Sequence, residues 1–200
     1  DSAVQVVVRT VKNGEISEKI INEKVRKVLK SKVWMNLKTY KPITQYKLDE
    51  DINNSWSSYL KEKIISSAIT LVKDNEKMVP VGNLAKEKIA CITIGKTSET
   101  AFTKMLDKYG KVDQYFISKD AARKDFDFMA TNTINNSYII VNVQDMSAFS
   151  SKNFGLTNES IFFIEKISKN KKVLLVLFGT PYSLVKFPTP KNIIIAYNED

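Results

Sequence analysis

Histidine is absent from the 200-residue sequence, cysteine occurs once, and glycine and proline are sparse at six and five. Without histidine the chain lacks the usual general base near neutral pH, the commonest metal ligand and every Ser-His or Cys-His nucleophile pair. Hydrolase triads and zinc sites are thereby excluded. A lone cysteine rules out an internal disulfide, and Cys91 lies inside the apolar run IACITI, where a small buried thiol is expected. Long apolar runs are missing too: none approaches the roughly 20 residues that span a bilayer. The opening DSAVQVVVRTV lacks the charged segment and cleavage pattern of a signal peptide. The sequence also begins without methionine, so the localisation expected, periplasmic or secreted, depends on an export signal upstream of Asp1. Neither an internal repeat nor a low-complexity segment is present.

What is there is an ordinary globular composition, 43% hydrophobic and 26% charged, with a formal net charge of +9. The lysines are spread along the chain rather than gathered into a stripe, and no aromatic-plus-basic motif of the RNA-binding kind occurs. A solvated, lysine-rich surface is expected, and no nucleic-acid partner.

Periodicity predicts two helices at the start. Val4, Val7, Val8 and Val11 fall at i, i+3, i+4 and i+7, one helical face, and Asn13-Gly14 then reads as a stop. Ser17 is placed as the N-cap of a second helix in which Ile21, Val25, Val28, Leu29 and Val33 form an apolar stripe while Lys19, Lys24, Lys27 and Lys30 occupy other faces. Two helices alone supply too little core to fold independently, so the stripe needs a partner. Periodicity lapses between Asn36 and Asn54, a linker, and a long helix carrying Trp56, Tyr59, Leu60, Ile64, Ala68 and Leu71 is expected to stop in KDNEKMVPVGNL.

Beyond Lys86 the pattern changes. Apolar, β-branched runs at 89–94, 112–117, 138–143, 173–178 and 193–197 alternate with helical patterns around 102–109, 122–134 and 161–167. Successive apolar residues mark strands buried on both faces. The prediction is an α/β fold: a three-layer αβα sandwich with a mostly parallel five- or six-stranded sheet, preceded by an N-terminal helical segment. Leu156 and Ile161 are spaced as a hydrophobic staple around a cap at Thr157, and Thr180-Pro181 reads as a cap followed by proline at the first helical position.

Open α/β sheets bind ligands beyond the carboxyl ends of their strands. The turn IGKTSE superficially resembles a phosphate-binding loop, but Ala90 stands where the earlier glycine is required, and no G-x-G-x-x-G occurs. A signalling receiver domain would need acidic residues at the end of the first strand, and none stands there. VQDMSAFSSKNFGLT, residues 143–157, is long for a strand-to-helix connection, whose usual length is about two to six residues. Its Asp145, Ser147, Ser150, Ser151, Lys152 and Asn153 suit a hydroxyl-rich ligand. A solvated loop held by Asx and Ser turns is the plainer reading of the same residues. Asp125 and Asp127 face different sides of a helix and Glu159 and Glu165 lie on a solvated face, so no carboxylate pair is assigned to acid/base work.

Three stretches in order resemble glycoside hydrolase family 3. VKNGEISEKIINEKVRKVLKSKVWMNL, residues 11–37, is similar to the segment that ends the family's catalytic barrel. SSAITLVKDNEKMVPV, residues 66–81, is similar to the helix entering its second domain, and LFGTPYSL, residues 177–184, to a later strand-to-helix turn. SKNFGLT further resembles the β-N-acetylglucosaminidase-like bacterial members. The resemblance implies the tail of a TIM barrel over 1–40, a linker over 41–55 and an α/β sandwich domain over 56–200. It implies a parent enzyme that hydrolyses β-linked sugars, including N-acetylglucosaminides, with retention, its nucleophilic aspartate lying upstream of Asp1. No residue here matches a catalytic motif of the family, so none is assigned, and no cofactor or metal is implied. Asp145, Ser151, Lys152 and Asn153 are the candidate substrate contacts. The implied partners are the missing barrel of the same parent chain, a carbohydrate, and a second copy through the exposed N-terminal helices. The alternative is a stand-alone flavodoxin-like ligand-binding or interaction module.

Overall fold

The computed structural model of the chain describes residues 2–82 and 86–199 and divides into two compact units, Asp1–Asn54 and Ser55–Asp200. In the first unit, α1 spans Ser2–Lys12 and α2 spans Glu18–Trp34, the latter capped by Ser17, whose hydroxyl accepts from the Ile20 amide at 3.4 Å. A single turn at Leu37–Thr39 and the short α3, Leu48–Ile52, interrupt the stretch predicted as linker. None of the described residues of this unit is buried. Of the stripe read from the sequence, Ile21 is half-buried and Val25, Val28, Leu29 and Val33 are 48–71% exposed; Trp34 is 86% exposed.

The second unit opens with α4, Ser55–Ala68, and is otherwise built on a six-stranded sheet. Its strands are β1 (Thr70–Asp74), β2 (Ile89–Ile94), β3 (Val112–Ile117), β4 (Tyr138–Val143), β5 (Val173–Leu177) and β6 (Asn192–Ile195), in the spatial order β1-β6-β5-β4-β2-β3. All neighbouring pairs run parallel except β1 against β6, which is antiparallel with a register shift between Leu71 and Lys73. Helices α5 (Ala101–Leu106), α6 (Arg123–Asn132) and α7 (Asn158–Asn170) fill the crossovers. This is the three-layer α/β architecture that the alternation of patterns predicts.

Side chains alternate between the faces of the sheet, as the twofold strand period requires. On one face Ile92, Ile94, Ile139, Val141, Val143, Val173, Leu175 and Leu177 pack with Phe126 of α6 and Phe163, Ile164 and Ile167 of α7. On the other, Ile89, Cys91, Tyr138, Ile140, Leu174 and Val176 meet Met78, Phe102 and Leu106. Burying each large apolar side chain contributes roughly 1.5–3 kcal/mol, so the four interior strands, β6, β5, β4 and β2, hold the unit together.

One expectation needs correction. The helix expected to run through Leu71 ends at Ala68, and Thr70–Asp74 forms β1 instead, because antiparallel pairing with β6 outweighs the continued helical spacing. Thr180 and Pro181 stand as expected, at the N-cap and the first position of a helix, which is a six-residue 3-10 helix, Pro181–Lys186; Pro188 and Pro190 stop the chain from continuing it. Of the stretch expected to stop the earlier helix, residues 83 and 84 lie outside the described residues. At α7 the predicted cap holds: the Thr157 hydroxyl accepts from the Ser160 amide at 3.2 Å, with Leu156 and Ile161 packed in the same cluster. Among the described residues, no helix is long and apolar enough to cross a membrane.

Candidate functional site

Four strand ends converge at the carboxyl edge of the sheet. Gln144 leaves β4 buried and Asp145 follows in the left-handed region at φ 53°, which turns the chain out of the sheet. The Asp145 carboxylate meets the Lys119 ammonium, from the end of β3, at 2.5 Å, and Lys119 also donates to the Asp145 carbonyl at 3.2 Å. That bond to Lys119 is the main reason the Asp145 carboxyl is held below its ordinary range. From the end of β2, Lys96 reaches Glu199 at 2.8 Å, and Glu199 also accepts from the Asp145 backbone amide. The bond to Glu199 raises the Lys96 ammonium above its ordinary value.

The long loop after β4 is ordered by its own backbone. The Ser147 amide donates to the Phe154 carbonyl at 2.8 Å, and the Lys152 and Phe154 amides donate to the Phe149 carbonyl at 3.2 and 3.1 Å. Asn153, Phe154 and Gly155 are consecutively left-handed, at φ 50°, 58° and 75°. Phe154 is driven into the core by that reversal. A Cβ at Gly155 would stand 2.9 Å from the Ser147 nitrogen, so glycine is required where the two limbs of the loop touch. Thr157 ties the end of the loop to β3 by donating to the Lys119 carbonyl at 2.7 Å.

Of the residues singled out in the sequence, Ser151 and Lys152 are exposed on this loop, and the Lys152 ammonium lies 6.0 Å from the centre of the Phe149 ring. The Asn153 amide group donates to the Leu156 carbonyl at 2.8 Å and so serves the loop itself. The Ser147 hydroxyl accepts from the Phe149 amide. Asp145 is thus grouped with Lys96, Lys119 and Glu199, three partners that come from other strand ends. Met146, Ser147, Phe178, Thr180, Tyr197 and Glu199 are among the residues lining a cavity of about 370 Å³ at this edge. A larger one, about 870 Å³, opens at the amino edge among Lys86, Lys88, Lys111, Asp113 and Asn136. Size alone would favour the amino edge, but parallel sheets direct their adaptable loops and their ligands to the carboxyl edge.

Beneath the site runs a buried polar ladder. The Asn142 amide donates to Thr93 Oγ1 at 2.8 Å and to the Cys91 sulfur at 3.2 Å, and Gln144 bridges from Asn142 Oδ1 at 3.1 Å to the Thr100 hydroxyl at 3.3 Å. It ties the end of β4 to the cap of α5. Three carboxylates outside the site have structural partners: Asp125 accepts from the Ala122 amide, Asp127 pairs with Lys166 at 2.8 Å, and Glu165 accepts from the Thr189 amide. Among the described residues, no group of three or more histidine, cysteine or acidic side chains could hold a metal ion.

No protein-family model matches the chain, and no curated protein sequence does. Solved structures do. The β-glucoside phosphorylase BglX superposes with a TM-score of 0.63 at 18% identity, covering 98% of this chain and 37% of that one. A glycoside hydrolase family 3 β-N-acetylglucosaminidase from Paenibacillus sp. str. FPU-7 gives 0.63 at 16% identity, covering 98% and 38%. A β-glucosidase from Listeria innocua in complex with isofagomine gives 0.62 at 14% identity, covering 95% and 30%. The class defined is an α/β fold found as a part of glycosidase-type structures. More particularly, the chain resembles part of glycoside hydrolase family 3 structures and spans only 30–38% of the length of these three.

Proposed function

We propose that the chain is a fragment of a glycoside hydrolase family 3-like enzyme that hydrolyses β-linked sugars with retention, N-acetylglucosaminides among them. It would comprise the sandwich domain and the end of the barrel that precedes it. The carrying observation is the match of nearly the whole length of the chain to about a third of three glycosidase or phosphorylase structures. The three ordered stretches of sequence support the same reading. A stand-alone flavodoxin-like module has no counterpart for the helices before Ser55, so the alternative is less favoured.

In this reading the carboxyl edge is the sugar-facing wall. Lys119 and Thr157 hold the loop of residues 143–157 in place, and Asp145, Ser151, Lys152 and Asn153 contribute hydrogen-bonding groups from it. The catalytic barrel of the parent chain is the partner that completes the site, and no residue of this chain is assigned a catalytic role. A second copy pairing through α1 and α2 is the other occupant their exposed apolar faces would accept.

Two measurements test the proposal. Purified chain 1–200 should leave chromogenic β-glucosides and β-N-acetylglucosaminides unhydrolysed; turnover at rates typical of a complete glycosidase would overturn the fragment reading. Titrating the labelled chain with glucose and N-acetylglucosamine should shift backbone amide resonances of residues 147–153. Shifts confined to the amino-edge cavity would reject the assigned wall.

A further inference from the structure

The chain leaves β2 for β3 on one side of the sheet and then returns to β4 on the other, which puts a topological switch point between β2 and β4. Crevices at such points are where open α/β sheets take their ligands. Here the walls are the turn of Gly95 and Lys96 after β2 and that of Gln144 and Asp145 after β4. They are in contact: a Cβ at Gly95, φ 98°, would fall 2.3 Å from the Gln144 carbonyl oxygen. No side chain from position 95 can fill the crevice mouth.

Two donors from the two walls converge there on a single carboxylate. The Lys96 ammonium lies 2.8 Å from one oxygen of Glu199, and the Asp145 amide, presented by the left-handed turn, donates to the other. The Asp145 carboxylate is committed to Lys119. With Glu199 in place the four charges of the cluster cancel; with Glu199 withdrawn, one positive charge remains. From this geometry we infer that the switch point is a binding site for a small oxyanion, the carboxylate or phosphoryl group of a ligand, and that Glu199 is its internal occupant. Charge-assisted bonds from an ammonium and a backbone amide supply the recognition. The inference stands independently of the glycosidase reading, since it needs only this sheet edge.

A carboxylate on the same chain competes at a millimolar effective concentration, so free anions bind the unaltered chain poorly. The test is an amide-resonance titration of full-length chain carrying Glu199→Ala, with inorganic phosphate in one arm and acetate in the other. The Asp145 amide should shift saturably, with affinity at least about tenfold tighter than in the unaltered chain, and adding Lys96→Met should abolish the saturation. Saturation in only one arm identifies the oxyanion, phosphoryl or carboxylate. Equal affinities with and without Glu199, a non-saturable shift in both arms, or indifference to Lys96→Met overturns the inference. Glu199→Gln, which removes the charge and keeps the shape, provides a second variant with the same expected direction.

Discussion

Cys91 shows how much one position can report. It is fully buried in β2, and desolvation is the main reason its thiol is pushed up to about 12, against bonds from Asn142 and Thr93 that act the other way. The thiolate is the reactive form. Native chain at pH 8 should therefore resist an aromatic disulfide reagent that labels the unfolded chain rapidly; equal labelling rates would contradict the buried position. The linkage has a definite sign. Stability from keeping the thiol neutral is complete below the unfolded value of about 8.5 and is lost as pH rises towards 12. The burial of Cys91 was legible from its apolar neighbours. Its bond from Asn142 was not, because the strand order that sets β2 beside β4 is written in no local pattern.

Among the elements, the loop after β4 and helix α7 depend on each other through one side chain. Thr157 caps α7 with its oxygen and ties the loop to the Lys119 carbonyl with its proton. Thr157→Val keeps the shape and removes both bonds, so it should destabilise the second unit by about 1–2 kcal/mol, read from chemical denaturation; a change near zero would mean that neither bond matters. The sequence disclosed this cap, the strands β2 to β6 and the unusual length of the loop. It did not disclose β1. The segment Ile69, Thr70, Leu71, Val72 extends the spacing of α4, and only a distant partner, β6, selects the extended form. Nor did it show that Asp145 would meet Lys96, Lys119 and Glu199, since convergence of strand ends is a property of topology rather than of spacing.

For the whole molecule, the contrast between the two units predicts how the chain responds to a protease. The described residues of the first unit are all at least partly exposed, whereas β2, β4 and β5 are buried throughout. Opening free energy follows buried apolar contact. Limited trypsin should cut first at Lys24, Lys27 or Lys30 of α2 and leave a product containing the sheet, identified by mass. Early cleavage within the sheet unit, with α2 intact, would contradict the burial pattern. The carbohydrate reading belongs to this scale too, because it rests on the extent of the superposition rather than on any catalytic side chain.

The one antiparallel strand also fixes a point of attachment. Thr70 pairs with Ile195 and Asp74 with Asn192, so β1 starts beside the carboxyl end of β6 and runs back toward the amino edge. A parallel first strand would have brought the incoming chain to the far edge of the sheet. As built, α4 delivers it to the edge that carries Asp145 and the loop after β4. The strand direction therefore sets the port of entry: the segment from α4 joins the sheet on the same edge as those loops, not opposite them.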